Sequence, residues 1–107
     1  SFHPTKFAIF LNTRIDRQYR TIQLINLIFN QLKPNVLVLR GENFPKELDQ
    51  LMDQNKNIKV YKFPYSIKQE ELIKFMGKDL NDYIVLGIGN IVGWGEALMK
   101  KLKEFKI

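Results

Sequence analysis

The chain has 107 residues, of which 45% are hydrophobic and 26% charged, values typical of one folded globular domain. It has no cysteine and a single histidine, which excludes disulfides, cysteine nucleophiles and metal clusters built on these residues, and we predict no metal site. No apolar run approaches the ~18 residues of a membrane-spanning helix. A net charge of +6 favours anionic partners, but the basic residues are spread along the chain and do not form a nucleic-acid-binding arm.

The first third of the chain predicts two buried strands separated by a helix. Lys6–Asn12 is a short apolar run typical of a buried strand, and the polar turn Thr13–Asp16 follows it. Over about Arg17–Leu32 the apolar residues recur at three- and four-residue steps, which predicts an amphipathic helix that the Lys-Pro pair at 33–34 ends. The apolar run Asn35–Leu39 then predicts a second buried strand.

The middle of the chain predicts a helix and an edge strand. A loop at Arg40–Asn43 leads to a helix that has Pro45 in its first turn and ends at residues 55–57. Ile58–Phe63 alternates apolar and polar side chains, which is typical of a half-exposed strand near the edge of a sheet.

A third helix is expected after this strand. Ser66 is a favourable N-cap residue, and Gln69 lies at the spacing of a capping box. We expect the helix to run to Met76, with Gly77 in the position just beyond its end.

The remaining elements complete a repeated strand–helix order. Tyr83–Leu86 predicts a fourth buried strand, and a glycine-rich turn connects it to a helix at about Glu96–Lys106. Four βα units with apolar strands indicate an α/β fold with a mostly parallel sheet covered on both faces. We therefore predict a Rossmann-like three-layer domain over residues 1–107, with right-handed crossovers.

Three arginines surround the predicted start of the first helix. Arg14 lies just before it, and Arg17 and Arg20 share one face. Cations there oppose the helix dipole, so either Asp16 neutralises them or they bind an anion, which suits guanidinium groups and free backbone N–H groups. In the alternative, Asp16 caps the helix, the arginines are solvated or pair with neighbouring acids, and Asn12 is a plain turn residue.

Glycines are concentrated between the fourth strand and the last helix, where a parallel sheet can hold a phosphate. Their spacing fits neither the dinucleotide fingerprint nor a Walker A loop. Two interpretations remain: a tight turn that needs positive φ, or a close backbone approach to a ligand or another domain, which the density of glycines favours. The candidate residues are Gly87, Gly89, Asn90, Gly93, Gly95 and Glu96.

These two segments resemble a known family. The stretch FLNTRIDRQYRTIQLIN at Phe10–Asn26 is similar to the LNNRxDRxxR motif of the poly-γ-glutamate synthase catalytic subunits, the CapB/PgsB family, and VLGIGNIVGWGEAL at Val85–Leu98 is similar to their GIGNxxGxGE motif. Thr13 stands where the family motif has Asn. Both motifs belong to the C-terminal part of that family, and together they cover less than a third of this chain.

The resemblance implies a reaction class. The family is similar to the Mur ligases, in which ATP and Mg2+ serve a central P-loop domain and the C-terminal domain closes on it. ATP would phosphorylate a terminal carboxylate of poly-γ-glutamate, and the amine of an incoming glutamate would attack the acyl phosphate. The chain itself has no P-loop, so we expect it to be the C-terminal domain of a larger ligase, inactive alone and not binding ATP and Mg2+ alone.

The resemblance also implies site residues, partners and a location. Asn12, Arg14, Asp16 and Arg17 become candidate nucleotide or substrate contacts, with Arg20 beside them, and the glycine segment becomes a closing face. The implied partners are the central domain, glutamate, the polymer and membrane subunits of a capsule-synthesis complex. Nucleic acid is not expected, and the implied location is the cytoplasm, with association at the inner face of the membrane left open.

Other function classes stay open on the residues alone. A non-catalytic Rossmann-like module could dock a partner chain through its glycine loop. Nucleic-acid binding is motivated by the charge alone, and it predicts a steep loss of affinity with salt. A stand-alone nucleotide-binding regulator is a further alternative.

Overall fold

The computed structural model describes residues 6–89 and residue 100. In this part of the chain, strands alternate with helices. The strands are β1 (Phe7–Asn12), β2 (Val36–Arg40), β3 (Lys59–Phe63) and β4 (Ile84–Gly89). The helices are α1 (Gln18–Leu27), which continues as a π-helical turn (Ile28–Leu32), α2 (Lys46–Gln54) and α3 (Gln69–Asp79).

The four strands form one parallel sheet in the order β3-β2-β1-β4. One face of the sheet packs against α1, the π-helical turn and α2, and the opposite face packs against α3. This arrangement confirms the predicted α/β fold and its three-layer, Rossmann-like architecture. The fourth predicted helix, at about Glu96–Lys106, lies outside the described residues.

Strand β1 lies between β2 and β4 and contributes to the hydrophobic core on both faces of the sheet. Successive side chains of a strand point to opposite faces, so β1 supplies both layers of core. Ile9 and Leu11 pack among the residues of α1 and α2, whereas Ala8 and Phe10 pack against α3. All four are fully buried, which explains why the strand reads as a continuous apolar run.

The first helix ends where the sequence predicts, but in a different geometry. Its last turn is π-helical, and the N–H of Lys33 donates to the carbonyl of Ile28 at 2.8 Å. Lys33 has a left-handed backbone with φ of 46°, so the chain leaves the helix here. Pro34 follows and is buried. The wider turn buries Ile28 and Phe29 side by side in the core.

Both predicted ends of α3 are wrong. Ser66 is not the N-cap, because the N–H of Ile67 donates to the carbonyl of Pro64 and closes a turn there, and Lys68 takes the cap position without a side-chain hydrogen bond. Gly77 does not end the helix, which continues to Asp79. The extra turn places Leu80, only 1% exposed, in the core on the α3 face.

The sequence predicts the exposure of one edge strand correctly and that of the other incorrectly. β3 is a half-exposed edge strand, as expected. The expectation of a buried fourth strand at Tyr83–Leu86 is wrong, because among the described strands β4 lies at the other edge, with Ile84 61% and Leu86 50% exposed. The strand is also longer than expected and includes the first three residues of the predicted glycine turn, Gly87, Ile88 and Gly89. Among the helices of residues 6–89, none has the length and apolar content to cross a bilayer.

Candidate functional site

The carboxyl ends of β1 and β4 form the switch point of the sheet. From β1 the chain moves through β2 to β3 on one side, and β4 then lies on the other side of β1. Ligands of open α/β sheets bind in the crevice that this reversal creates. Asn12 and Gly89 are register partners at this point, so the structure brings together the ends of the two segments that the sequence singled out.

Asn12 lies beneath the surface of this crevice. Its side chain is only 1% exposed, and its Oδ1 accepts a hydrogen bond of 2.9 Å from Nη1 of Arg40 at the end of β2. Asn12 and Arg40 are also register partners in the two strands. The amide of Asn12 is therefore part of a buried polar contact that links the ends of β1 and β2.

Asp16 neutralises Arg14 and does not cap the helix. The guanidinium donates from Nε to Oδ1 at 3.0 Å and from Nη2 to Oδ2 at 2.9 Å, a two-bond fork between exposed side chains. Arg17 takes the N-cap position of α1, where no side chain makes a capping hydrogen bond. The interpretation of Asp16 as the cap is therefore wrong, whereas its pairing with a neighbouring arginine is confirmed.

Arg17 and Arg20 differ from Arg14 in their surroundings. Both side chains are exposed, and within residues 6–89 neither makes an ion pair. The first turn of α1 has no acidic residue, so the positive end of the helix dipole adds to the two guanidinium charges. Two exposed guanidinium groups at the start of α1 suit a carboxylate or phosphate group.

Gly89 shows why a glycine is needed at the end of β4. Its φ is +91°, and a Cβ atom there would lie 2.6 Å from the backbone oxygen of Asn12 and 2.8 Å from Cδ1 of Leu11. The close approach is to β1, and the positive φ belongs to the last residue of β4. The tight turn itself was expected mainly over residues that lie outside the described part of the chain. Gly87 lies within β4 opposite Phe10. The candidates Asn90, Gly93, Gly95 and Glu96 lie outside the described residues.

Sequence reasoning missed two residues of the site, Arg40 and Tyr65. Nη2 of Arg40 donates to the backbone oxygen of Tyr65 at 2.9 Å, and the guanidinium carbon lies 5.3 Å from the centre of the Tyr65 ring. Burial lowers the pKa of Arg40, and the interaction with Tyr65 opposes this shift. A charged residue directly after a buried apolar strand was the available signal for Arg40. Tyr65 carries no comparable local signal.

Comparison with known proteins identifies the family. A family model of the poly-gamma-glutamate synthase CapB C-terminal domain matches residues 2–105. The chain belongs to this family. The match extends well beyond the two motifs and includes the strands and helices between them.

One relative in this family is the PGA synthase CapB of Bacillus subtilis (strain 168). It is 28% identical to this chain over 101 residues, which cover 92% of the chain and 25% of the relative. The chain therefore spans about a quarter of the length of the relative it matches. No solved structure matches the chain.

Proposed function

We propose that this chain is the C-terminal domain of an ATP-dependent amide ligase that extends poly-γ-glutamate through an acyl phosphate. In this proposal the domain holds anionic substrate groups at the switch point, where Arg17 and Arg20 receive a carboxylate or phosphate. The non-catalytic docking module is the alternative, and the experiment below separates the two.

One observation carries the proposal. The two segments that resemble the family motifs come from opposite ends of the chain, and their strands meet as register partners at Asn12 and Gly89. A parallel sheet binds its ligands at such a point, so a substrate held there can contact both segments. The family match supports the reaction class, since the name of the matched relative is that of a polyglutamate synthase.

The chemistry of phosphoryl transfer belongs elsewhere in the longer protein. The 107 residues contain no P-loop sequence. Within the described residues no group of three or more His, Asp or Glu side chains could hold a metal ion, so we assign no ligand of Mg2+ to this part of the chain. In the proposal, ATP and Mg2+ serve the central P-loop domain of the full-length enzyme, and this domain closes on it.

The three arginines differ in how readily each can bind an anion. The fork with Asp16 already satisfies Arg14, so an incoming anion would have to displace a carboxylate there. Arg17 and Arg20 need no such exchange, since neither pairs with an acid within residues 6–89. A guanidinium can take a carboxylate or a phosphate through two parallel hydrogen bonds, which fixes its orientation as well as its position.

The test is ATP-dependent incorporation of glutamate by the full-length protein. Replacing both arginines, Arg17→Ala with Arg20→Ala, removes two hydrogen-bonding charges from the site. We expect kcat/KM to fall by about 100-fold or more, since a hydrogen bond to a charged group contributes roughly 1.5–3 kcal/mol. The measurement is steady-state kinetics with ATP and with glutamate as the varied substrate.

The matched control is Lys56→Ala. Lys56 is an exposed cation in the α2–β3 connection, at the opposite end of the sheet, and we expect wild-type kinetics from this variant. Wild-type turnover by the double arginine variant, with unchanged thermal unfolding, would contradict the proposed anion site. An inactive wild-type full-length protein that still binds a partner chain would favour the docking module.

A further inference from the structure

A polar cluster links three loops at the carboxyl edge of the sheet. It consists of Thr13 at the start of the β1–α1 loop, Arg40 at the end of β2, Gly41 beside it, and Tyr65 in the β3–α3 loop; these four residues are called the edge cluster below. Tyr65 contacts both of the other loops, since its hydroxyl lies 2.9 Å from Oγ1 of Thr13 and its backbone oxygen accepts from Arg40.

The direction of these hydrogen bonds follows from counting protons. The Thr13 hydroxyl has one hydrogen, and it donates this hydrogen to the backbone oxygen of Arg40 at 3.0 Å. The Thr13 oxygen must then accept from Tyr65, so the phenolic hydroxyl is the donor in the contact between the two side chains. The backbone N–H of Thr13 donates to the same Arg40 oxygen at 3.0 Å, which fixes the start of the loop twice.

Neighbouring residues pack closely around the hydroxyl of Thr13. A Cβ atom on Gly41 would overlap Oγ1 of Thr13 and lie 3.2 Å from the ring of Phe44. The backbone N–H of Gly41 donates to the backbone oxygen of Phe63 at 2.9 Å, so the strand ends hold Gly41 in place. Thr13 is itself buried, with a relative exposure of 7%.

We propose that Tyr65 is a positioning residue of the anion site, acting through Thr13. Thr13 directly precedes Arg14, whose backbone oxygen accepts from the N–H of Arg17 at 3.2 Å. A fixed Thr13 therefore fixes the short turn that leads to Arg17 and the start of α1. Tyr65 comes from a different loop, and its hydrogen bonds go to Thr13 and Arg40, so its effect on binding reaches the site through the edge cluster.

This inference rests on the proposed function, and the experiment separates the two. In the full-length protein, Tyr65→Phe keeps the ring over Arg40 and removes only the hydroxyl. We expect KM to rise about 3- to 10-fold for the substrate that Arg17→Ala affects, with kcat nearly unchanged, because one hydrogen bond that orders the binding loop is lost. Thr13→Val, which also removes a hydroxyl, should have the same effect. Thr13→Ser, which keeps the hydroxyl, should have the wild-type KM.

The control is Tyr61→Phe, which removes a phenolic hydroxyl in the middle of β3. The ring of Tyr61 packs edge-on against Phe75 with 4.7 Å between centres, and this contact survives the change. We expect wild-type KM values from this variant. When Arg17→Ala and Arg20→Ala are both present, adding Tyr65→Phe should raise KM no further, since both groups that it positions are absent.

A second measurement decides the inference independently of activity. Hydrogen–deuterium exchange of the full-length protein should show several-fold faster exchange at residues 13–20 in Tyr65→Phe than in Tyr61→Phe. If the wild-type protein has no ligase activity but this difference is found, the proposed function fails and the positioning role stands. If exchange at residues 13–20 and KM both match the control, the inference is overturned.

Discussion

Gly89 allows the ends of β1 and β4 to come together at the switch point. Two constraints act on this residue at once, a backbone with φ of +91° and the backbone oxygen of Asn12 at 2.6 Å from where a Cβ would stand. The first excludes most side chains because a left-handed backbone crowds the Cβ. The second excludes even a methyl group unless a strand moves. The glycine is therefore required by the sheet itself, before any ligand is considered.

We predict that Gly89→Ala destabilises the fold. The strained φ and the contact with β1 should together lower the free energy of unfolding by about 2–4 kcal/mol. Urea denaturation of the wild-type and variant chains measures this difference. An unchanged midpoint would show that β4 relaxes at its end and that Gly89 is not held by Asn12.

At the scale of secondary structure, α3 shows a glycine in the opposite situation. Gly77 lies inside the helix, between Met76 in the core and the last turn at Lys78 and Asp79. Its φ is not positive, so no conformational reason for a glycine exists there. The helix continues through Gly77 because Met76 and Leu80 both pack against the sheet, and this packing outweighs the weak helix propensity of glycine.

We predict that Gly77→Ala stabilises the protein. Alanine restricts the unfolded chain and favours the helix, which should raise the free energy of unfolding by about 0.5–1 kcal/mol. The same urea denaturation measures it, with Gly89→Ala as the opposite case. A loss of stability would mean that a methyl group at Gly77 collides with a neighbour of α3.

Local sequence patterns predict those elements that depend only on the spacing of their own apolar side chains. The buried strand β1 and the helix after it could be predicted because apolar periodicity is a local property. The start of α3 could not, because Ser66 matched a capping pattern while the chain formed a turn from Pro64 to Ile67 instead. The end of β4 could not, because glycines in a strand resemble those in a turn.

The candidate site was predicted to a similar extent and for a similar reason. The arginine segment stood out because three cations at a helix start are unusual along the sequence. The contacts of Arg40 with Asn12 and Tyr65 could not be predicted, since they depend on which strands are neighbours and on the register that pairs Arg40 with both Asn12 and Phe63. Sheet order and register are set by the whole fold.

At the scale of the whole molecule, the central strand β1 and the edge strand β4 differ in how deeply their side chains are buried. β1 is covered by helices on both faces, and its apolar residues belong to both core clusters. β4 carries the switch point on its carboxyl end, but the face that it shares with α1 and α2 is partly open at Ile84 and Leu86. Within residues 6–89, the carboxyl edge of the sheet is therefore held in the core mainly through β1.

Ile9 and Leu86 test this inequality, because they are register partners on the same face of the sheet. Ile9 is fully buried, and we predict that Ile9→Ala lowers the free energy of unfolding by about 2–5 kcal/mol, through lost burial and the cavity left behind. Leu86 is 50% exposed, and Leu86→Ala should lower it by about 1 kcal/mol or less. Urea denaturation of the two variants measures both values. Equal losses would contradict the exposed position of β4, because Leu86 would then have to be buried in solution to the same degree as its partner in the central strand.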